Sequence, residues 1–140
     1  MSGQSQILRL LPVLLIAMIT GCREDILPPD VFVGTKNSPV VDNYRSYYNM
    51  QIDADGLNMI FTDSLKFRTN NAYIEMLNFD HKSGSIYVTL FSGEDVLFRS
   101  LIDENRSSFN TSLEGRAPDK LMLSFNNFSG KFRIKLLPYN

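Results

Sequence analysis

GSIYVTLFSGEDVLFRSLI, residues 84–102, is the stretch that decides the fold class. Ile86, Val88 and Leu90 alternate with Tyr87, Thr89 and Phe91, which is the period of a strand. Ser92-Gly93-Glu94-Asp95 then separates this run from a second, Val96 to Ile102. Two runs rich in β-branched and aromatic residues, joined by a short glycine-containing turn, read as a hairpin. Both faces of the first run are apolar or aromatic, which predicts a central strand covered on both sides, or on one side by a loop.

The same pattern extends in both directions. Upstream, Tyr44, Ser46, Tyr48, Met50 and Ile52 share one face of a predicted strand that ends at Asp53-Ala54-Asp55-Gly56. Leu57, Met59 and Phe61 follow at period two, then Leu65 and Phe67 after a break at Asp63-Ser64, and Asn70-Asn71 precedes Ala72 to Phe79. A turn cluster, Asp80 to Gly84, leads into the hairpin. Downstream, Ser107 to Leu113, Leu121 to Phe125 and Phe132 to Leu137 continue the series, with turns at Asp103 to Asn105, Gly115 to Asp119 and Asn126 to Gly130. No apolar stripe of helical period exceeds two turns. Short strands at 8–12-residue spacing with hairpin-length connections predict an all-β, antiparallel sandwich of about seven to nine strands.

The N-terminus is of a different kind. Leu10 to Gly21 (LLPVLLIAMITG) is an apolar run behind a short polar stretch with one basic residue, Arg9. It has the form of a secretory signal and is shorter than the roughly 20 residues a membrane-spanning helix needs. Ile19-Thr20-Gly21-Cys22 resembles the lipobox of bacterial lipoproteins, in which the peptidase reads Ile19, Thr20 and Gly21 and lipid is attached to Cys22. That resemblance implies cleavage before Cys22, the only cysteine of the 140-residue chain, and a membrane anchor of two or three acyl chains, enough for stable attachment. It would leave no thiol for a disulfide or a nucleophile.

The implied divisions are a signal peptide over 1–21, a lipidated cysteine and tether over 22–43, and a sandwich domain over 44–140. The tether carries Pro28, Pro29, Gly34 and Pro39 among polar residues, and fully extended it spans about 70 Å. Val31 to Val33 and Val40-Val41 are apolar enough to leave an alternative, in which part of it packs on the domain as an edge strand.

The hairpin 84–102 and Leu121 to Leu137 resemble the immunoglobulin-like strands of small secreted proteins from Bacteroidota. Arg23-Glu24-Asp25 is similar to the surface-export signal of lipoproteins from that phylum. The residue after Cys22 is not Asp, and this agrees with outer-membrane placement, on the periplasmic face or at the cell surface. Asp63-Ser64-Leu65 resembles an O-glycosylation site of the same exported proteins, with Ser64 as acceptor.

Charge excludes one class of partner. There are 14 Lys and Arg against 15 Asp and Glu, and no basic cluster of the kind a nucleic-acid face needs. Chemistry-bearing clusters are sparse. His81, the single histidine, sits beside Asp80 in a predicted turn and reads as a solvated residue, since zinc sites need three or four ligands. Asp53 and Asp55 have the D-x-D-G look of a calcium loop, but Leu57, Met59, Ile60 and Phe61 fill the positions where further oxygen ligands belong. Asp103 with Glu104 and Glu94 with Asp95 are chain neighbours, whose side chains diverge too far to flank a glycosidic bond. No nucleophile elbow or phosphate-cradling glycine loop is present. Tyr44, Tyr47 and Tyr48, with Tyr73, Tyr87 and Phe91, are candidates for an aromatic binding surface.

The expectation is therefore a non-enzymatic, lipid-anchored binding module at the outer membrane, taking a glycan or protein partner and needing no cofactor. The alternatives are a structural or assembly component of an envelope complex and, third, a small hydrolase.

Overall fold

The structure, a computed structural model, describes residues 34–139, and of residues 106–108 the backbone alone. The lipobox, Cys22 and the first part of the tether lie outside the described residues. Six strands follow in order: β1 (Val40–Asn43), β2 (Tyr48–Ser64), β3 (Ala72–Ser92), β4 (Asp95–Ile102), β5 (Arg106–Leu113) and β6 (Lys120–Pro138). All pairings are antiparallel, in the order β1-β2-β6-β3-β4, with β5 also on β3.

Three of these strands are long because three predicted turns do not end strands. Asp53 to Gly56, Asp80 to Gly84 and Asn126 to Gly130 instead lie inside β2, β3 and β6. They fall side by side across the sheet, at register shifts between Ala54 and Met59 on β2 and between Phe79 and Ser85 on β3, where both pair with β6. Positive φ at Gly56, Asp80, Gly84, Asn127 and Gly130 supplies the bends, using residues that tolerate this region. The result is a crease running across all three strands. Counted by the segments between bends, there are nine strands.

The shifts also keep the apolar residues on one face. In β2 the buried apolar residues are Tyr48, Met50, Ile52 and Ala54 before the crease, while Leu57, Met59 and Phe61 pack against the core after it. Even positions thus give way to odd ones, and without an extra residue the second set would face water. β6 makes the same switch, from Leu121, Leu123 and Phe125 to Phe128, Phe132, Ile134 and Leu136. A single core cluster runs through both halves, so the halves fold over and face each other as two layers.

Layer I holds β1, residues 48–54 of β2, 130–138 of β6, 72–79 of β3, and β5. Layer II holds residues 57–64 of β2, 120–128 of β6, 83–92 of β3, and β4. The all-β antiparallel sandwich agrees with the sequence. Its strand order does not follow the immunoglobulin-like likeness: layers reading β2-β6-β3-β5 and β2-β6-β3-β4, with three strands shared, have the double-sheet arrangement of a jelly roll. Alternation reveals which face a residue takes but not which strand lies beside it.

The connections complete the core. Leu65 and Phe67, in the link between β2 and β3, are buried, and the Leu65 amide donates to the Asp119 carbonyl at 2.8 Å. β1 lies in the stretch read as tether or edge strand, and it pairs with residues 48–51 of β2. Just before it, Asn37 donates from Nδ2 to the Asp55 carbonyl and accepts the Asp55 amide at Oδ1, at 3.1 and 2.8 Å.

Candidate functional site

The surfaces opposite the core differ in kind between the layers. On layer I the residues are polar, and several of them pair with one another. Arg133 Nη2 donates to Gln51 Oε1 at 3.1 Å, Asn49 Nδ2 donates to Asp42 Oδ2 at 3.2 Å, and Lys135 lies 3.7 Å from Glu75. Asn49, Gln51 and Arg133 are buried. Much of this face is knit by internal hydrogen bonds, while Asn49 Oδ1 is buried without one.

Layer II presents apolar side chains to solvent. Register places Ile60, Ser124, Tyr87 and Leu101 in one row across β2, β6, β3 and β4, with Thr62, Met122, Thr89 and Arg99 in the next. Ile60 is 70% exposed and Tyr87 48%; Val96 and Leu101 are exposed as well. A third row carries Ser64, Lys120 and Phe91, with the Lys120 ammonium 4.4 Å from the centre of the Phe91 ring. The face combines rings, aliphatic side chains and hydroxyls on an open sheet. Tyr87 and Phe91 lie on the same side of β3, about 13 Å apart along the strand.

The structure redistributes the aromatic candidates. Tyr48 is fully buried, which removes it from any binding surface. Burial, with the Asp63 carboxylate as a second cause, also holds its hydroxyl above the ordinary tyrosine range. The misassignment came from starting the strand at Tyr44: residues 44–47 form the β1–β2 turn, closed by the Tyr44 amide on the Tyr47 carbonyl at 2.8 Å. Tyr44 is exposed and Tyr47 half-buried, with the Tyr47 hydroxyl raised by burial first and Asp42 second. These two lie at the β1–β2 turn, whereas Tyr87 stands on the open face of layer II. The double apolar alternation of residues 86–91 was the signal for that face, but the expected cover over its outer side is absent at Tyr87.

His81 is corrected in another way. It is not a solvated turn residue: it lies half-buried in the crease, its Nε2 donating to the Gly84 carbonyl at 3.0 Å and its ring 5.9 Å from that of Phe128. Its amide donates to Asn105 Oδ1 at 2.9 Å. Asp53 and Asp55 do not converge with further carboxylates, and among the described residues no group of three His, Cys, Asp or Glu side chains is placed to hold a metal. Asp55 points toward Lys36, 3.6 Å away, while Asp53 lines a cavity at the crease. Asp95 pairs with Arg116, and Ser64 is exposed at the end of β2.

No family model and no curated protein matches the chain. Among solved structures it is similar to a protein of the disulfide-linked endospore appendage pili of Bacillus, at 11% identity and TM-score 0.45, covering 76% of this chain and 95% of that one. It is also similar to a family 29 carbohydrate-binding module, at 13% identity and TM-score 0.37, covering 71% and 70%. An enzyme is among the similar structures too, the hydroxypropylphosphonic acid epoxidase of S. wedmorenis, at 12% identity and TM-score 0.35, covering 80% and 61%. Similarities at this level assign neither a family nor an activity.

Proposed function

We propose that the chain is a non-catalytic binding module, held at the outer membrane by lipid on Cys22, that takes a glycan on the outer face of layer II. The observation that carries this reading is Tyr87, half exposed in the middle of an open sheet face with Ser124 beside it on β6. An aromatic ring offers an apolar surface to the C–H face of a sugar, and a neighbouring hydroxyl adds a hydrogen bond. Affinity electrophoresis of the protein through gels of soluble polysaccharides tests it. Tyr87→Ala is expected to weaken retention at least about ten-fold, the loss typical of an anchoring aromatic, with the melting temperature unchanged. Equal retention of wild type and variant on every retaining polysaccharide would rule the reading out.

A second reading has its own observation. Ile60, Val96 and Leu101 add aliphatic surface to the same face, and exposed apolar patches of this sort are used by protein partners. An Ile60→Asp variant that loses a stoichiometric envelope protein on co-purification, while keeping glycan retention, would favour it and with it an assembly role.

The address rests on the lipobox. Cys22→Ser is expected to release the protein from membranes and to abolish the lipid-bearing mature mass seen by mass spectrometry. Persistence of both would remove the lipoprotein assignment.

A further inference from the structure

The crease holds a cavity of about 200 Å³ lined by Lys36, Asp53, Ala54, Asp80, Lys82, Gly130 and Lys131. It is built from parts distant in sequence: the segment before β1 and the bends of β2, β3 and β6. A volume of this size holds about seven waters at their liquid volume, the scale of a single small ring. At Gly130 the two bends are in close contact, since an added Cβ would lie 3.1 Å from the His81 Cα and 3.3 Å from the Asp80 carbonyl oxygen. This contact fixes the cavity wall on rigid backbone and sets Asp80 opposite Lys131, 3.0 Å away.

The lining charges narrow the ligand. A strong anion would face Asp53 and Asp80, and a cation would face three ammonium groups; each is opposed at short range by like charge. Lys131 is engaged by Asp80, and Lys36 by Asp55 outside the cavity. Asp53 and Lys82 have no ion-pair partner among the described residues. One therefore offers only acceptors and the other only donors. A neutral polyhydroxylated ring satisfies both, because each hydroxyl donates and accepts.

We infer that the crease cavity is a binding site for a single neutral sugar unit, with Asp53 accepting from and Lys82 donating to its hydroxyls. The site is separate from the Tyr87 face: Asp53 and Lys131 belong to the outer side of layer I, the other side of the sandwich. It stands or falls independently of the function proposed above.

The test is titration of the isotope-labelled full chain with glucose, galactose, mannose and N-acetylglucosamine, followed by amide chemical shifts. At least one sugar is expected to shift the amides of residues 53–56, 80–84 and 130–131 and to leave those of 87 and 124 in place. Asp53→Asn and Lys82→Met are each expected to weaken binding about ten-fold or more, the loss for one charge-assisted hydrogen bond, without changing the melting temperature. Tyr87→Ala is expected to leave these shifts intact, so the two sites can fail separately. Crease shifts produced by inorganic phosphate or sulfate but by none of the four sugars would overturn the inference. So would an absence of crease shifts at tens of millimolar sugar, or binding that both variants retain in full.

Discussion

Gly84→Ala is expected to be among the most damaging single substitutions in the domain, lowering stability by roughly 2–5 kcal/mol. Two costs add. Gly84 has φ of +75°, where an L side chain is strained by about 1–2 kcal/mol. The new Cβ would also fall inside the van der Waals envelope of the Asn126 and Asn127 carbonyl oxygens, and both are main chain, unable to swing aside. Forcing them apart adds about 1–3 kcal/mol of overpacking strain. A domain of this size has about 5–15 kcal/mol in total, so the variant should melt about 8 °C lower or more, at about 4–8 °C per kcal/mol. Gly93→Ala is the control, since Gly93 has φ of +61° with nothing within 4 Å of an added Cβ. It should show the backbone strain alone. Equal melting temperatures for the two variants would mean that β3 and β6 do not approach so closely at the crease.

The second large effect is expected at Phe128. Its ring is fully buried next to the crease, 5.9 Å from the rings of both Phe125 and His81. Phe128→Ala should cost about 3–5 kcal/mol, from lost apolar burial and from the cavity left behind. Around Phe128 that space cannot readily close, because Gly130 holds Asp80 and His81 at fixed separation. Urea unfolding measures this as a fall in midpoint with the slope unchanged. A loss below about 1 kcal/mol would show that the site collapses freely, contrary to a crease held by main-chain contact.

Much of the fold was legible in the alternation. The runs at 86–90, 96–102 and 121–125 form strands, and Ser92 to Asp95 turns β3 into β4. The three bends were not legible as bends. Asp53 to Gly56, Asp80 to Gly84 and Asn126 to Gly130 have the residues of tight turns because both turns and bulges need positive φ and short polar side chains. Whether the ladder resumes beyond them depends on partner strands far away in sequence, as where the Asn127 amide donates a 2.8 Å hydrogen bond to Asn58 Oδ1. The Tyr87 face was half legible. Apolar residues on both sides of residues 86–91 announced an outer surface of that character, but its flanking residues Ile60 and Leu101 come from β2 and β4, and only the pairing brings them into one row. The crease cavity was illegible, since the sequence spreads Lys36, Asp53, Lys82 and Lys131 across almost the whole domain.

The position of β6 also governs how the domain is made. It lies between β2 and β3 in both layers, yet it follows both in synthesis. Until it emerges, those two long strands have no partner on their inner sides, and Tyr48 must wait for Leu136 while Ala72 waits for Pro138. Pairing over such separations is slow because loop-closure entropy is lost before contacts form. A nascent chain would thus leave β2 and β3 unjoined until its final long strand is free, and then close both layers together. Chaperone demand should peak at that stage, when β2 and β3 present open edges to neighbouring chains.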